Sequence, residues 1–218
     1  MRYQQGEIAL RIDIGCGSNK KSGFTGIDKV AAPGVDVVID FESERLPFGD
    51  NEVDAIYSSH CLEHLSDPHL LLSELLRVGR DGASFELWLP YLKSNDAFVF
   101  GHRMYYNELI VARISATAPG FWFQEIDGAM RLDRVIYVLK SGIAEELKPL
   151  RVPLHFAIKH LFNIVVEWGL YFTILKGPAY RDRRAYTAAA RPPGLFVSYG
   201  RAQPRIPLDA PADFWELR

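Results

Sequence analysis

Residues 12–19 read IDIGCGSN, and this stretch decides the fold class. Its apolar start ends at Gly15 and Gly17, and a single acid, Asp28, closes the next short apolar run, 11 residues after Gly17. Glycine has no Cβ atom, so two glycines at the end of a strand let the backbone come close to a ligand. The stretch therefore indicates a ligand site at the carboxyl end of a strand, with a simple tight turn as the alternative.

Short apolar runs alternate with loops over the first 90 residues. We predict strands at EIALRIDI (7–14), FTGID (24–28), VDVVID (35–40), VDAIYSS (53–59) and ASFELWLP (83–90). A helix is predicted between the last two, because Asp67 can cap it, Pro68 suits its first turn and Gly79 can end it. Strands that alternate with crossovers predict an α/β fold with a mainly parallel sheet.

The rest of the chain is predicted to finish this sheet and to add an extension. Residues 104–118 look helical, and FWFQEID (121–127) and LDRVIYVLK (132–140) are predicted as two late strands, the last one antiparallel. Residues 152–175 are apolar except for a stripe at spacing four (His155, Lys159, Asn163 and Glu167), which predicts a long helix. Such a helix is buried in its own domain, forms a homodimer contact or lies on a membrane surface. We therefore divide the chain into a ligand-binding domain, 1–150, and a C-terminal helix with a basic extended tail, 151–218.

Composition and charge narrow the function classes. Apolar residues make up 48% and the net charge is −2, so the chain as a whole does not favour nucleic acid. Residues 176–205 carry seven basic side chains and one acid, a distribution that suits an anionic partner or simply a solvated tail. Two cysteines form no disulfide framework, and no apolar leader or 18-residue uncharged stretch is visible, so we expect a cytoplasmic protein without a membrane span.

Two common ligands of open α/β sheets do not fit the glycine stretch. A dinucleotide fingerprint needs a third glycine where Lys20 stands, and its acid follows about 20 residues on. A phosphate-binding loop needs a Gly-Lys-Ser/Thr sequence, which does not follow here. The short loop after Gly17 leaves room for about one helical turn at most.

The order and spacing of these parts resemble a class I S-adenosylmethionine-dependent methyltransferase, of the type-11-like group. The resemblance covers residues 8–90 and rests on IDIGCGSN, the acids of GID and VVID, and LPFGDNEVDAIYSSHCLEHL. The shortened first crossover and the last of these stretches are similar to predicted methyltransferases of bacterial surface-polysaccharide clusters. The resemblance implies a Rossmann-like fold, S-adenosyl-L-methionine as cofactor and methyl transfer as the reaction.

The resemblance also implies which residues bind the cofactor. Gly15, Cys16 and Gly17 would lie against its methionine and ribose parts, and Asp28 would accept hydrogen bonds from both ribose hydroxyls. Further cofactor contacts are expected from Asp13, Asp40, Phe41, Ser58 and Ser59. Asp13 could instead bind loop amides, Asp28 and Asp40 could be turn acids, and Cys16 could be only a small residue.

The acceptor is harder to predict. Methyl transfer needs mainly placement, and a hydroxyl acceptor benefits from a base such as histidine. His60 at the end of the fourth strand and His102 in the loop after the fifth are the candidate catalytic residues, whereas His64 is expected to pack at a helix start. No spacing of metal ligands is visible. Aromatic residues after the fifth strand suit sugar rings or lipophilic rings equally well, or simply fill a core. Together with the surface-polysaccharide resemblance, they lead us to expect O-methylation of a sugar in surface polysaccharide or glycolipid synthesis. The alternatives are a small-molecule metabolite as acceptor and a methyltransferase-like protein that binds partners without turnover.

Overall fold

A single mixed sheet organises the computed structural model, which describes residues 9–115, 128–177, 193–211 and 214. The strands are β1 (Arg11–Ile14), β2 (Thr25–Asp28), β3 (Val37–Val38), β4 (Val53–Ser59), β5 (Gly79–Pro90), β6 (Ala129–Leu139), β7 (Val165–Leu175), β8 (Gly194–Ser198) and β9 (Ile206–Pro207). The helices are α1 (His69–Val78), α2 (Glu108–Ile114), α3 (Ile143–Leu147) and α4 (Leu154–His160). Within this part of the chain the sheet has nine strands in the order β3-β2-β1-β4-β5-β7-β6-β8-β9.

The five N-terminal strands are parallel, as the sequence predicts. β1 lies between β2 and β4, with Asp13 opposite Gly26 on one side and Tyr57 on the other. Their carboxyl ends therefore meet at one edge, which brings the loops after Ile14, Asp28 and Ser59 together. We call this side of the sheet the carboxyl edge. The predicted α/β fold is confirmed, and so is the short first crossover, because residues 15–24 contain only turns.

Helix α1 is the crossover between β4 and β5 and matches its prediction closely. It begins after Pro68, and the Asp67 carboxylate accepts a hydrogen bond of 2.9 Å from the backbone N–H of His69. Its C-cap is Gly79. Five of its apolar side chains form one fully buried stripe (Leu71, Leu72, Leu75, Leu76 and Val78). The helix thus covers one face of the parallel half of the sheet.

The predicted helix over 152–175 is wrong. Helix α4 ends at His160, Asn163 takes a left-handed conformation (φ 62°), and Val165–Leu175 forms strand β7. β7 pairs antiparallel with β5 on one side and β6 on the other, so it is buried at the centre of the sheet. In β7 the buried residues Trp168, Leu170, Phe172 and Ile174 alternate with the partly exposed Glu167, Tyr171 and Thr173, which is the period of a strand. The polar residues at spacing four, taken over the whole segment 152–175, concealed this period of two.

This correction changes the predicted domain organisation. β7 lies between two strands of the expected first domain, and β8 pairs parallel with β6, so one sheet extends across the expected boundary at residue 150. The predicted antiparallel strand exists, but it is β7; β6 runs parallel to β1–β5. The predicted strand 121–127, residues 116–118 of the predicted helix and residues 178–192 of the basic tail lie outside the described residues.

The predicted homodimer or membrane contact through 152–175 loses the helix on which it was based. The hydrophobic face of that segment is instead used inside the sheet, where Trp168, Leu170 and Ile174 are fully buried. In the described ranges, no helix combines the length and apolar character needed to cross a bilayer.

Candidate functional site

Gly15 and Gly17 form the turn that leaves β1 at the carboxyl edge. Gly15 has φ 68°, and a Cβ atom at this position would lie 2.3 Å from Sγ of Cys61. Both the left-handed backbone and the contact with Cys61 therefore require glycine. Gly17 has φ 48°, but a Cβ atom there would meet no described atom within 4 Å. The space above Gly17 is the side from which a ligand can reach this backbone.

Asp28 closes the turn from the end of β2. Its Oδ2 accepts a hydrogen bond of 3.0 Å from the backbone N–H of Gly17, and its Oδ1 accepts one of 2.9 Å from Val30. A carboxylate has about four lone-pair positions, so both oxygens retain capacity for further donors. The structure thus places Asp28 beside the glycine turn, where the resemblance puts the ribose hydroxyls.

Asp13 is a support for the glycine loop. It is buried inside β1, and its Oδ2 accepts a hydrogen bond of 2.7 Å from the backbone N–H of Lys21. Burial raises the pKa of this carboxyl, although the Lys21 amide and ammonium act in the opposite direction. The sequence leaves two roles open for Asp13, a contact with the cofactor and a hydrogen bond to a loop amide. The structure shows the hydrogen bond to the loop amide.

Among the other predicted cofactor residues, Asp40 is exposed, whereas Phe41, Cys16 and Ser58 are buried. Asp40 is exposed and accepts a hydrogen bond from the Glu42 backbone, as a turn acid does, while Phe41 is buried in the core. Cys16 is also buried, and this burial raises the pKa of its thiol to about 11. Ser58 is fully buried and donates to the Ile14 carbonyl at 2.9 Å, so its side chain ties β4 to β1. Cofactor contacts from these side chains stay predictions.

Ser59 and His60 end β4 within a network of charged side chains. His60 has φ 52°, and its two ring nitrogens are hydrogen-bonded to Glu63 and Glu167, each at 3.0 Å. Glu167 and then Glu63 raise the pKa of His60 to about 9. An imidazole held between two carboxylates has no free nitrogen for an acceptor proton. The geometry therefore does not favour the predicted role of His60 as a base.

Arg201 completes this network from the loop after β8. It donates to Glu167 through Nε and Nη2, the latter at 2.6 Å, and to Ser59 Oγ at 2.8 Å. Its guanidinium also lies 4.6 Å from the centre of the Trp88 ring. Burial alone would raise the pKa of Glu167, but His60 and Arg201 lower it to about 2. Sequence reasoning missed Glu167 and Arg201 as site residues, because one was assigned to a helix and the other to a tail.

His102 and His64 meet on the other side of Glu63. His102 is hydrogen-bonded through Nδ1 to the Ala97 carbonyl at 3.1 Å, and His64 through Nδ1 to the Gly101 carbonyl at 3.2 Å. Their rings pack edge to face, with centres 4.8 Å apart. The loop after β5 is fixed here because the backbone N–H of Arg103 donates to the Glu63 carbonyl at 2.7 Å. The two predicted catalytic histidines, His60 and His102, thus both lie beside Glu63.

Comparison with known protein families gives a match over the part of the chain that forms the glycine turn and the ends of β2 and β4. Residues 12–87 match the family model described as a methyltransferase domain. That range includes the glycine turn, Asp28, Asp40 and the end of β4. None of the curated proteins matches the chain.

Several solved structures share the fold at low sequence identity. A methyltransferase in complex with the Haloferax volcanii Trm112 activator is 14% identical, with a TM-score of 0.51 over 79% of this chain and 84% of that one. The [4+2]-cyclase SpnF is 17% identical, with a TM-score of 0.50 over 78% and 76%. A SAM-dependent methyltransferase from Aquifex aeolicus is 19% identical, with a TM-score of 0.48 over 78% and 84%. Residues 12–87, which include the glycine turn and Asp28, thus match a methyltransferase domain, and the chain shares the fold of solved methyltransferase structures.

Proposed function

We propose that the enzyme methylates a hydroxyl of a sugar in the synthesis of a surface polysaccharide or glycolipid. The acceptor oxygen would attack the methyl carbon of the sulfonium, the carbon–sulfur bond would break, and S-adenosylhomocysteine, a methyl ether and a proton would form. The sulfonium is already a good leaving group, so the protein has mainly to align the two substrates.

The observation that supports this acceptor class is an exposed aromatic surface beside His102, formed by Phe98, Tyr105 and Phe162. Phe98 is 58% exposed, and its ring centre lies 5.4 Å from that of Tyr105 and 6.3 Å from that of Phe162. Phe100, in the same loop, is fully exposed. Aromatic faces that stay open to solvent suit the C–H faces of sugars and the chains of lipid carriers.

Only part of the predicted aromatic cluster contributes to this surface. Tyr91 and Tyr106 are each 1% exposed and belong to the core, and Trp88 lies under Arg201. The described basic residues of the tail are also engaged within the fold: Arg205, for example, donates to the Tyr171 hydroxyl at 3.0 Å. Support for a saccharide or glycolipid acceptor therefore comes from the loop after β5 and from Phe162. Buried free thiols, Cys16 and Cys61, suit the proposed cytoplasmic location.

Cofactor binding is tested first, by calorimetric titration with S-adenosylmethionine, S-adenosylhomocysteine and NAD. The first two should bind and NAD should not. Asp28→Asn removes the charge from a bond to a ribose hydroxyl, worth about 1.5–3 kcal/mol, so affinity should fall by about 10- to 160-fold. Asp36→Asn is the matched control, because Asp36 also anchors a backbone N–H, that of Gly26 at 2.7 Å, but from the other end of β2. Equal affinity in wild type and Asp28→Asn would place the cofactor elsewhere.

The acceptor is tested with cofactor that carries a labelled methyl group. Purified enzyme is incubated with lipid-linked saccharides and glycolipids, with polysaccharide, and with pools of small aromatic metabolites and proteins. Label should enter a saccharide fraction as a methyl ether. Replacement of the exposed aromatic residues by Phe98→Ser and Phe162→Ser should raise KM for that acceptor and leave cofactor affinity unchanged. Label only in a metabolite or a protein would overturn the proposed acceptor but not the methyltransferase.

A further inference from the structure

Three potential metal ligands converge where the loops after β4 and β5 meet. Glu63 and His64 end the short 3₁₀ turn Leu62–His64, and His102 lies in the loop after β5. One carboxylate oxygen and one nitrogen from each ring all lie within 4.8 Å of one another. The sequence did not predict this set, because His102 is 38 positions from His64 and joins it only through the packing of two loops.

One oxygen of the Glu63 carboxylate makes no hydrogen bond within the described part of the protein. Glu63 is 1% exposed, its Oε1 is hydrogen-bonded to His60, and its Oε2 has no hydrogen-bond partner among the described residues. A buried carboxylate oxygen without a donor is costly, whereas a bound cation would satisfy it. This oxygen is an observation independent of the clustering of the three residues.

The two histidines are already oriented as metal ligands usually are. Both Nδ1 atoms are hydrogen-bonded to backbone carbonyls, Gly101 for His64 and Ala97 for His102. When a ring donates its Nδ1–H to a carbonyl, the tautomer is fixed and Nε2 keeps its lone pair. Histidines that bind metals commonly donate their other nitrogen in this way. Nε2 is thus the free ligand atom on each ring.

We propose that Glu63 Oε2, His64 Nε2 and His102 Nε2 bind one divalent transition-metal ion of the zinc class. Two imidazoles and one carboxylate suit such an ion better than Mg²⁺ or Ca²⁺, which prefer oxygen ligands. Ligands about 2.1 Å from a tetrahedral ion lie about 3.4 Å apart, so ligand atoms that are up to 4.8 Å apart have to move closer together when the ion binds. Three protein ligands leave one position of a tetrahedral ion open. His102 then acts as a ligand and not as a base.

The test is calorimetric titration of untagged, chelator-treated full-length protein with Zn²⁺, and with Co²⁺ as a spectroscopic probe. Wild type should bind one equivalent, and Co²⁺ should give the visible absorption of a tetrahedral site with nitrogen ligands. His102→Gln and His64→Gln should each weaken Zn²⁺ binding by at least about tenfold. Loss of a group that only supports a metal ligand already costs that much, so loss of a ligand should cost no less. His160→Gln is the matched control, because His160 is an exposed histidine of α4 whose ring packs on Phe156, outside the cluster.

The titration contains neither cofactor nor acceptor, so its result does not depend on whether the proposed methyl transfer takes place. Binding that is equal in wild type, His102→Gln and His64→Gln would overturn the site, as would the same loss in His160→Gln. Melting curves by circular dichroism show whether each variant is folded. Because His64 is exposed, His64→Gln should retain the fold even if Glu63→Gln does not.

Discussion

Gly169 in β7 allows Trp88 of β5 to lie flat against the sheet, and replacing it with alanine should disturb both the sheet and the site. The two residues are paired in the β5–β7 register. A Cβ atom on Gly169 would lie 2.7 to 2.9 Å from three atoms of the Trp88 six-membered ring. Carbon atoms in contact stay about 3.5 Å apart or more, so the ring must move by about 0.6–0.8 Å.

Trp88 has little freedom to make this movement. It is 2% exposed, its Nε1–H donates to Glu86 at 2.7 Å, and the Arg201 guanidinium covers its face. Overpacking of a filled core costs about 1–3 kcal/mol, and a ring held on several sides favours the upper part of that range. We therefore expect Gly169→Ala to lower the free energy of unfolding by about 2–3 kcal/mol, which lowers Tm by about 4–12 °C in a protein of this size.

Urea denaturation followed by circular dichroism measures the loss. Gly200→Ala is the control, because a Cβ atom there would meet only the Gln203 side chain at an ordinary 3.4 Å; its stability should stay within about 0.5 kcal/mol of wild type. The smaller ring of Trp88→Phe should relieve the clash, so the double variant should be more stable than the two single losses predict, by about 1 kcal/mol or more. Wild-type stability of Gly169→Ala, or strictly additive losses, would refute the reasoning.

Three further predictions concern the carboxyl edge. Gly15→Ala should cost about 2–5 kcal/mol in urea denaturation, from the left-handed backbone and the contact with Cys61; a loss below about 1 kcal/mol would contradict this. Ser58→Ala should cost about 1 kcal/mol, for its bond to Ile14, without changing affinity for S-adenosylmethionine; a tenfold loss of affinity at unchanged stability would identify it as a cofactor contact. A Cys16 pKa of about 11 instead of 9.0 leaves about a hundredfold less thiolate at pH 8. Alkylation of Cys16 should therefore be at least a hundredfold slower than that of a free thiol, and it should accelerate as the pH rises towards 11. Labelling as fast as that of a free thiol would show that the loop opens.

The parallel half of the fold could be predicted from the sequence because its signals are local. Each of β1, β2 and β4 is a short apolar run that ends at a turn, and α1 has a capping acid and a terminal glycine around a clear apolar stripe. The glycine turn and Asp28 follow from the same local pattern. These features need no knowledge of which strands are neighbours.

The other half depends on contacts that are distant in sequence. β7 lies between β5 and β6, and although its buried residues alternate with partly exposed ones, no local pattern in Val165–Leu175 tells which strands are its neighbours. The pairing of His60 with Glu167 spans 107 positions and depends on that strand. Once residues 152–175 were predicted as a helix, Glu167 was placed on a helix surface and could not be recognised as part of the site.

The central position of β7 also has a consequence during synthesis. Leu175 ends β7 about 85 residues after Pro90 ends β5, so at about 5–20 residues per second a ribosome needs about 4–17 s to supply the missing strand. Until then the nascent chain can form β1 to β5 but leaves the backbone N–H and C=O groups on one edge of β5 unpaired, and open edges of this kind are sites of aggregation. We therefore expect two factors to affect the yield of folded protein more than the stability of the finished fold does. They are the speed of translation between codons 90 and 175 and the presence of chaperones that bind exposed strands.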